Sequence, residues 1–237
     1  MAAATVNARR GFTLMELLVV LAIVTVLAGL IGGAVEQARA EANSARCVSN
    51  LRQWGAALLL YVTDNQGYVP RRGQGVQQLG QINRPTDWFN ALPPYLGDQP
   101  YQNLVAQNAL PQPGQNSIFV CPSATRSGGT YFLPYGMNMY LSQWDQPNPD
   151  KLNAIPAPDE LAFLADAPGQ YSSTVPSALP YSVMARHEGR ANVCFADGHV
   201  ASFDGSYLGC GVGQPSPAAP GIRWQTLIQG DPQTVFP

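Results

Sequence analysis

The sequence predicts an α+β fold in which one long N-terminal helix packs on a small, loop-rich antiparallel β head. Three observations predict it. From Leu17 to Val35 there are nineteen residues without a charge, followed by a stretch of helix formers. Sixteen of the twenty-one prolines then crowd residues 70 to 180, where no long helix fits. Further on, two β-prone runs flank Asp197-Gly198, a strong short-range hairpin signal.

Composition narrows the function classes. The chain has 237 residues, enough for one domain or a small domain with an appendage. Charged residues make up 12% and the formal net charge is −2. That leaves neither a broad basic face for nucleic acid nor an acidic tail, so partners must come from local features.

The apolar run is the most informative segment. Nineteen helical residues span roughly 30 Å, the thickness of a bilayer's hydrocarbon core. Arg9, Arg10 and the α-amino group all precede it, which keeps the first residues cytoplasmic and sends the rest outward. The run is longer than the apolar core of a secretory signal peptide, and the twin-arginine match is only Arg9-Arg10 with Phe12. A simple signal anchor gives Glu16 no role, although an unpaired carboxylate at a helix end in lipid is penalised.

Gly11-Phe12-Thr13-Leu14-Met15-Glu16-Leu17-Leu18-Val19-Val20 resembles the cleavage and methylation signal of type IV pilins and type II secretion pseudopilins. The resemblance implies that a prepilin peptidase cuts between Gly11 and Phe12 and that Phe12 is then N-methylated. It also implies assembly into a homo- or hetero-filament with other pilin or pseudopilin subunits. Glu16 would be the assembly residue: its carboxylate in one subunit faces the new Phe12 ammonium of a neighbour, so each charge has a partner and the axial stagger is fixed.

Beyond the apolar run, Glu36 to Arg46 contains no proline or glycine. Val48, Leu51, Gly55, Leu58, Leu59 and Val62 then recur on one helical face, an amphipathic stripe that needs a cover. Asp64-Asn65-Gln66-Gly67 and Pro70 stop the helix. The helix so read runs from Phe12 to Thr63, about 78 Å, and with the head gives a lollipop. The run N-L-R-Q…Y…D-N-x-G-x-x-P from Asn50 to Pro70 is similar to the helix end and first loop of pilin-like families with a G-type pseudopilin head.

The middle of the chain reads as short elements between ordered loops. Ser117 to Cys121 and Glu160 to Ala165 are expected strands, and Asp87 to Leu92 one helical turn. In "RHEGRANVCFADGHVASFDG", a type I′ turn at Asp197-Gly198 would pair Phe195 with Val200 in a hairpin over 191–203. His187 precedes Asp197-Gly198 with nine residues between. That spacing resembles the H-x9-D-G signature of a pilin-like family from planctomycete and verrucomicrobial sequences, a family without a settled function. The motif is read as structural, with His187, Asp197 and Gly198 stapling the hairpin.

Chemistry offers little else. Asp166, His187, Asp197 and His199 are the residues to consider for a metal, but a turn needs its Asp and Gly for backbone reasons, and a structural staple is preferred. No cofactor is expected. A calcium site, which the resemblance to G-type pseudopilins raises, would need more than the single Asp231 of the final stretch. No G-x-S-x-G, H-E-x-x-H or P-loop pattern occurs, and with two histidines in all, the chain is read as a non-enzyme. Cys47, Cys121, Cys194 and Cys210 all follow the apolar run and fall in an oxidising compartment under this topology. The pairing expected is Cys47 with Cys121 and Cys194 with Cys210, with four small buried residues as the alternative.

The expected organisation is therefore a leader over 1–11, a transmembrane and assembly helix over 12–35, its amphipathic extension over 36–64 and an extracytoplasmic head over 65–237. The expected function is a pilin or pseudopilin subunit, single-pass in the cytoplasmic membrane with its head on the periplasmic or extracellular side. The alternative is a membrane-anchored binding protein with the same processing that never polymerises, for which exposed Trp and Tyr between residues 84 and 145 would be the sign.

Overall fold

Helix α1, Leu14–Asp64, accounts for 51 residues of the chain, within two residues of the expected bounds at its start and one at its end. It ends through backbone geometry. The Gly67 N–H donates to Val62 O at 2.9 Å around Gln66 at φ +57°, so a glutamine holds the left-handed position that closes the last turn. The computed structural model describes residues 12–73, 84–125, 131–138, 140–141, 151–168, 170–171, 177–178, 183–208 and 222–224. The leader, Cys210 and the stretch containing Asp231 lie outside these residues.

The chain divides into two compact units, Met1–Ala42 and Asn43–Pro237, with α1 contributing to both. In the first unit every described apolar side chain between Phe12 and Val35 is exposed.

In the second unit α1 buries Cys47, Leu51, Trp54, Gly55, Ala57, Leu58 and Tyr61. This corrects the expected stripe: Leu59 is exposed and Val48 and Val62 are only half-buried. The buried set Cys47, Leu51, Trp54, Leu58, Tyr61 repeats at intervals of 4, 3, 4 and 3 residues, the steps that hold one helical face. Trp54 and Tyr61 carry that face, with larger rings than the aliphatic residues on either side of it.

After α1 come the single turn α2, Trp88–Ala91, a 3-10 turn, Pro93–Leu96, and α3, Tyr101–Ala106. The strands are β1 Tyr131–Phe132, β2 Tyr135–Asn138, β3 Ala162–Asp166, β4 Gln170–Tyr171, β5 Ser177–Ala178, β6 Arg190–Phe195 and β7 Val200–Asp204, and α4, Gly205–Leu208, follows β7. Five strands form a sheet in the order β5-β2-β3-β6-β7, while β1 pairs with β4. All ladders in the larger sheet are antiparallel except β2 with β5. The sheet is covered on both faces. One core joins α1 to Trp88, Phe119, Tyr135 and Phe163, and a second gathers Ala162, Ala165, Val193, Phe195, Ile222 and Trp224.

Two local expectations are overturned. Ser117 to Cys121 is a buried turn, not a strand, because side chains of α1 take its backbone acceptors. The Asn50 amide donates to Ser117 O and Val120 O at 3.0 and 2.8 Å, and Trp54 Nε1 donates to Ile118 O at 3.0 Å. The hairpin also differs from its expected register by one residue: Cys194, not Phe195, pairs with Val200. Gly198 N–H donates to Phe195 O and Phe195 N–H to His199 O, both at 2.9 Å. Of the two turn residues only Gly198 has positive φ, at +90°, so the loop is a three-residue turn closed by a glycine bulge and not a type I′ turn. A turn with positive φ at both central residues does occur nearby, at Glu188 (+53°) and Gly189 (+83°), between the paired His187 and Arg190.

Candidate functional site

At the start of α1 the sequence Thr13-Leu14-Met15-Glu16 forms a reciprocal cap. Glu16 Oε2 accepts from the Thr13 backbone N–H at 2.9 Å and from its hydroxyl at 2.8 Å, while Thr13 Oγ1 accepts from the Glu16 N–H at 3.2 Å. This capping box satisfies amides that the first helical turn leaves without partners. The carboxylate expected to serve assembly thus caps the start of the helix. Phe12 beside it is 80% exposed, and Gly11 lies outside the described residues.

In the head, helix and hairpin meet backbone to backbone. A Cβ placed on Gly55 would lie 2.8 Å from Gly198 Cα and 3.0 Å from Cys194 Sγ. Gly198 therefore answers two demands, a left-handed φ and close approach to α1. Asp197 and His199 stand at the tip, outside both cores. Asp197 Oδ1 accepts from the His199 N–H at 3.0 Å and lies 2.6 Å from His199 Nδ1. The His199 ring stacks on Phe195 at 4.3 Å.

His187 is buried in the head. Its Nε2 lies 3.2 Å from Asp166 Oδ2 and 3.6 Å from Cys121 Sγ. Asp166 is fully buried and its Oδ2 also accepts from the Asn192 N–H at 2.8 Å. The residues considered for a metal thus form two pairs, Asp166 with His187 inside the head and Asp197 with His199 at its surface.

Cys121 forms a disulfide with Cys47 of α1, closing a sequence separation of 74 residues. Cys194, expected to bridge to Cys210, is instead a free thiol. It points from β6 into the contact with Gly55, and full burial pushes its thiol well above the usual range. Trp54, which joins helix to head together with Asn50 and Gly55, was not singled out by sequence pattern. The spacing of Asn50 and Trp54, one helical turn apart, was the signal that could have found it. Among the described residues from 84 to 141 no Trp or Tyr is exposed, and Trp144 lies outside the described residues.

Residues 6–32 match the family model for the prokaryotic N-terminal methylation motif. The chain is also 30% identical over 114 residues to the type II secretion system core protein G of Escherichia coli (strain K12), covering 48% of this chain and 73% of that protein. The chain belongs to the type IV pilin/pseudopilin family. As a pilin/pseudopilin it is a structural subunit, membrane-anchored by its one long apolar N-terminal helix, for which α1 has the length and hydropathy. Subunits of this family work among other such subunits and are matured by a prepilin peptidase. No solved structure matches the chain.

Proposed function

We propose that this pilin/pseudopilin is cut between Gly11 and Phe12 by a prepilin peptidase, methylated at Phe12, and built through α1 into a filament of the type II secretion kind or a type IV pilus. Its similarity to a secretion core protein favours the former. The leader occupies 1–11, residues 12–35 span the membrane before assembly, 36–64 extend the helix, and the head over 65–237 lies on the periplasmic side. Its role is to be packed against copies of itself or related subunits, without catalysis.

The observation that carries the reading is a methylation motif over residues 6–32 leading into a helix whose described apolar side chains from Leu14 to Val35 are all exposed. Apolar surface on that scale needs lipid or other helices as cover. Both Thr13 bonds to the carboxylate fall on Oε2 of Glu16, which leaves Oε1 to face a neighbour's Phe12 ammonium. Breaking a buried ion pair by removing one partner costs about 3–5 kcal/mol. Glu16→Ala should therefore abolish recovery in sheared filaments while the thermal melt of the head stays unchanged. Unaltered incorporation, or a mature N-terminus that retains residues 1–11 in mass spectrometry, overturns the proposal.

A further inference from the structure

The Cys47–Cys121 disulfide is the oxidised form of a cluster with the donor set of a metal centre. Sγ of Cys47, Sγ of Cys121 and a ring nitrogen of His187 lie within 4.8 Å of one another, and all three residues are buried. Asp166 adds a carboxylate oxygen 3.2 Å from His187 Nε2. Each of the two polar residues commits one atom to the cluster, His187 Nε2 facing Asp166 Oδ2, while His187 Nδ1 and Asp166 Oδ1 are buried with no hydrogen-bond partner among the described residues. The cluster also draws on α1, the 117–121 turn, β3 and the segment before β6, so the fold itself holds it together.

The distances fit one ion in particular. Tetrahedral zinc, with bonds of about 2.3 Å to sulfur and about 2.0 Å to nitrogen or oxygen, has ligand–ligand edges of about 3.5 Å for sulfur to nitrogen and about 3.3 Å for nitrogen to oxygen. Cys121 Sγ to His187 Nε2 is 3.6 Å and His187 Nε2 to Asp166 Oδ2 is 3.2 Å. Asp166 is not within the 4.8 Å group that Cys47, Cys121 and His187 form and must swing toward the sulfurs to ligate, and the sulfur-to-sulfur edge is closed by the disulfide. With the Cα atoms 5.0 Å apart, side-chain rotation after reduction can open that edge. The Asn192 N–H on Asp166 Oδ2 would then orient a ligating carboxylate from behind.

We infer that the reduced head binds one zinc ion through Cys47, Cys121, His187 and Asp166, and that closure of the disulfide expels it. Reduction by a dithiol gives two protein thiols and the reductant's disulfide. Zinc binding to the two thiols releases two protons. In the reverse direction a disulfide oxidant takes two electrons from the two thiolates, the Cys47–Cys121 bond forms, and Zn²⁺ leaves with the oxidant reduced to two thiolates. The site is thus open to metal before the head is oxidised and closed to it afterwards.

The test uses the full-length protein in detergent micelles, reduced with a phosphine that is then removed, with Co²⁺ as the optical probe and Zn²⁺ as competitor. Reduced protein should take up one equivalent of Co²⁺ with thiolate charge-transfer and tetrahedral ligand-field absorption, which Zn²⁺ bleaches; oxidised protein should show neither. Loss of even an outer ligand partner lowers affinity roughly 10–100-fold, so His187→Gln should weaken binding at least that much and shift the ligand-field bands. In parallel, Zn²⁺ should raise the melting temperature of the reduced wild-type head, a measurement independent of any variant's folding. Absence of charge-transfer absorption in the reduced protein, an identical spectrum in His187→Gln, or a melt of the reduced wild type that Zn²⁺ leaves unmoved each overturns the inference.

Discussion

The two parts of α1 share one backbone geometry and differ in nearly everything else. In Leu14 to Val35 the described Leu, Ile and Val side chains are at least 41% exposed. Between Cys47 and Tyr61 an equally apolar face is buried under aromatic rings, with Trp54 edge-on to Trp88 at 5.1 Å and to Phe119 at 5.5 Å. The first stretch is apolar all round, the second on one side only. Helix formation alone therefore does not bury these residues. The head covers one stretch, and the other depends on lipid or on partner helices.

Truncating the covered side is the strongest way to break this contrast. Trp54→Ala removes a fully buried indole and its bond to Ile118 O and should destabilise the head by about 3–5 kcal/mol in chemical denaturation. The same truncation on the uncovered side, Leu27→Ala at a residue 52% exposed, should change head stability by less than about 0.5 kcal/mol. Equal effects would erase the distinction.

A second test concerns the carboxyl next to the Trp54 contact. Asp87 opens α2, whose Trp88 packs on Trp54. Burial pushes its pKa from 3.8 up to about 6, against the opposing pull of Arg84 and Arg71. The folded head therefore holds this proton more tightly than the unfolded chain does. The associated stability is fully present below about pH 4 and is lost as pH rises toward 6, by up to about 3 kcal/mol. Asp87→Asn should flatten the dependence of head stability on pH across that window. An unchanged slope in denaturation midpoints rules out Asp87 as its source.

A smaller loss than that of the Trp54 truncation is expected at the helix–hairpin contact. Gly55→Ala would place a methyl 2.8 Å from the Gly198 backbone. Overpacking of this kind costs about 1–3 kcal/mol, and Cys194 should become more reactive toward thiol reagents as the hairpin is pushed off α1.

Much of this was legible in the sequence because it depends on local chemistry. The uncharged run from Leu17, the stop at Asn65 to Gly67 and the existence of a hairpin around Gly198 all follow from propensity and period. The register of that hairpin was not legible, since Asp-Gly serves a two-residue turn and a glycine bulge equally well, and contact with Gly55 favours the geometry observed. The apolar run Ile118 to Val120 has the pattern of a strand and becomes a turn because Asn50 and Trp54, more than sixty residues earlier, satisfy its carbonyls. Spacing along the chain likewise gave no reason to place His187 beside Cys121.

The sequence by itself determined that a long apolar helix with one carboxylate near its start precedes a loop-rich head, because those features are written in consecutive residues. Only the tertiary structure decided which helix face is covered, that Cys194 remains a thiol, and that Asp166, His187 and the Cys47–Cys121 bridge share one buried site. The physical reason is that burial and side-chain proximity arise from contacts between residues far apart in the chain, which no local pattern encodes.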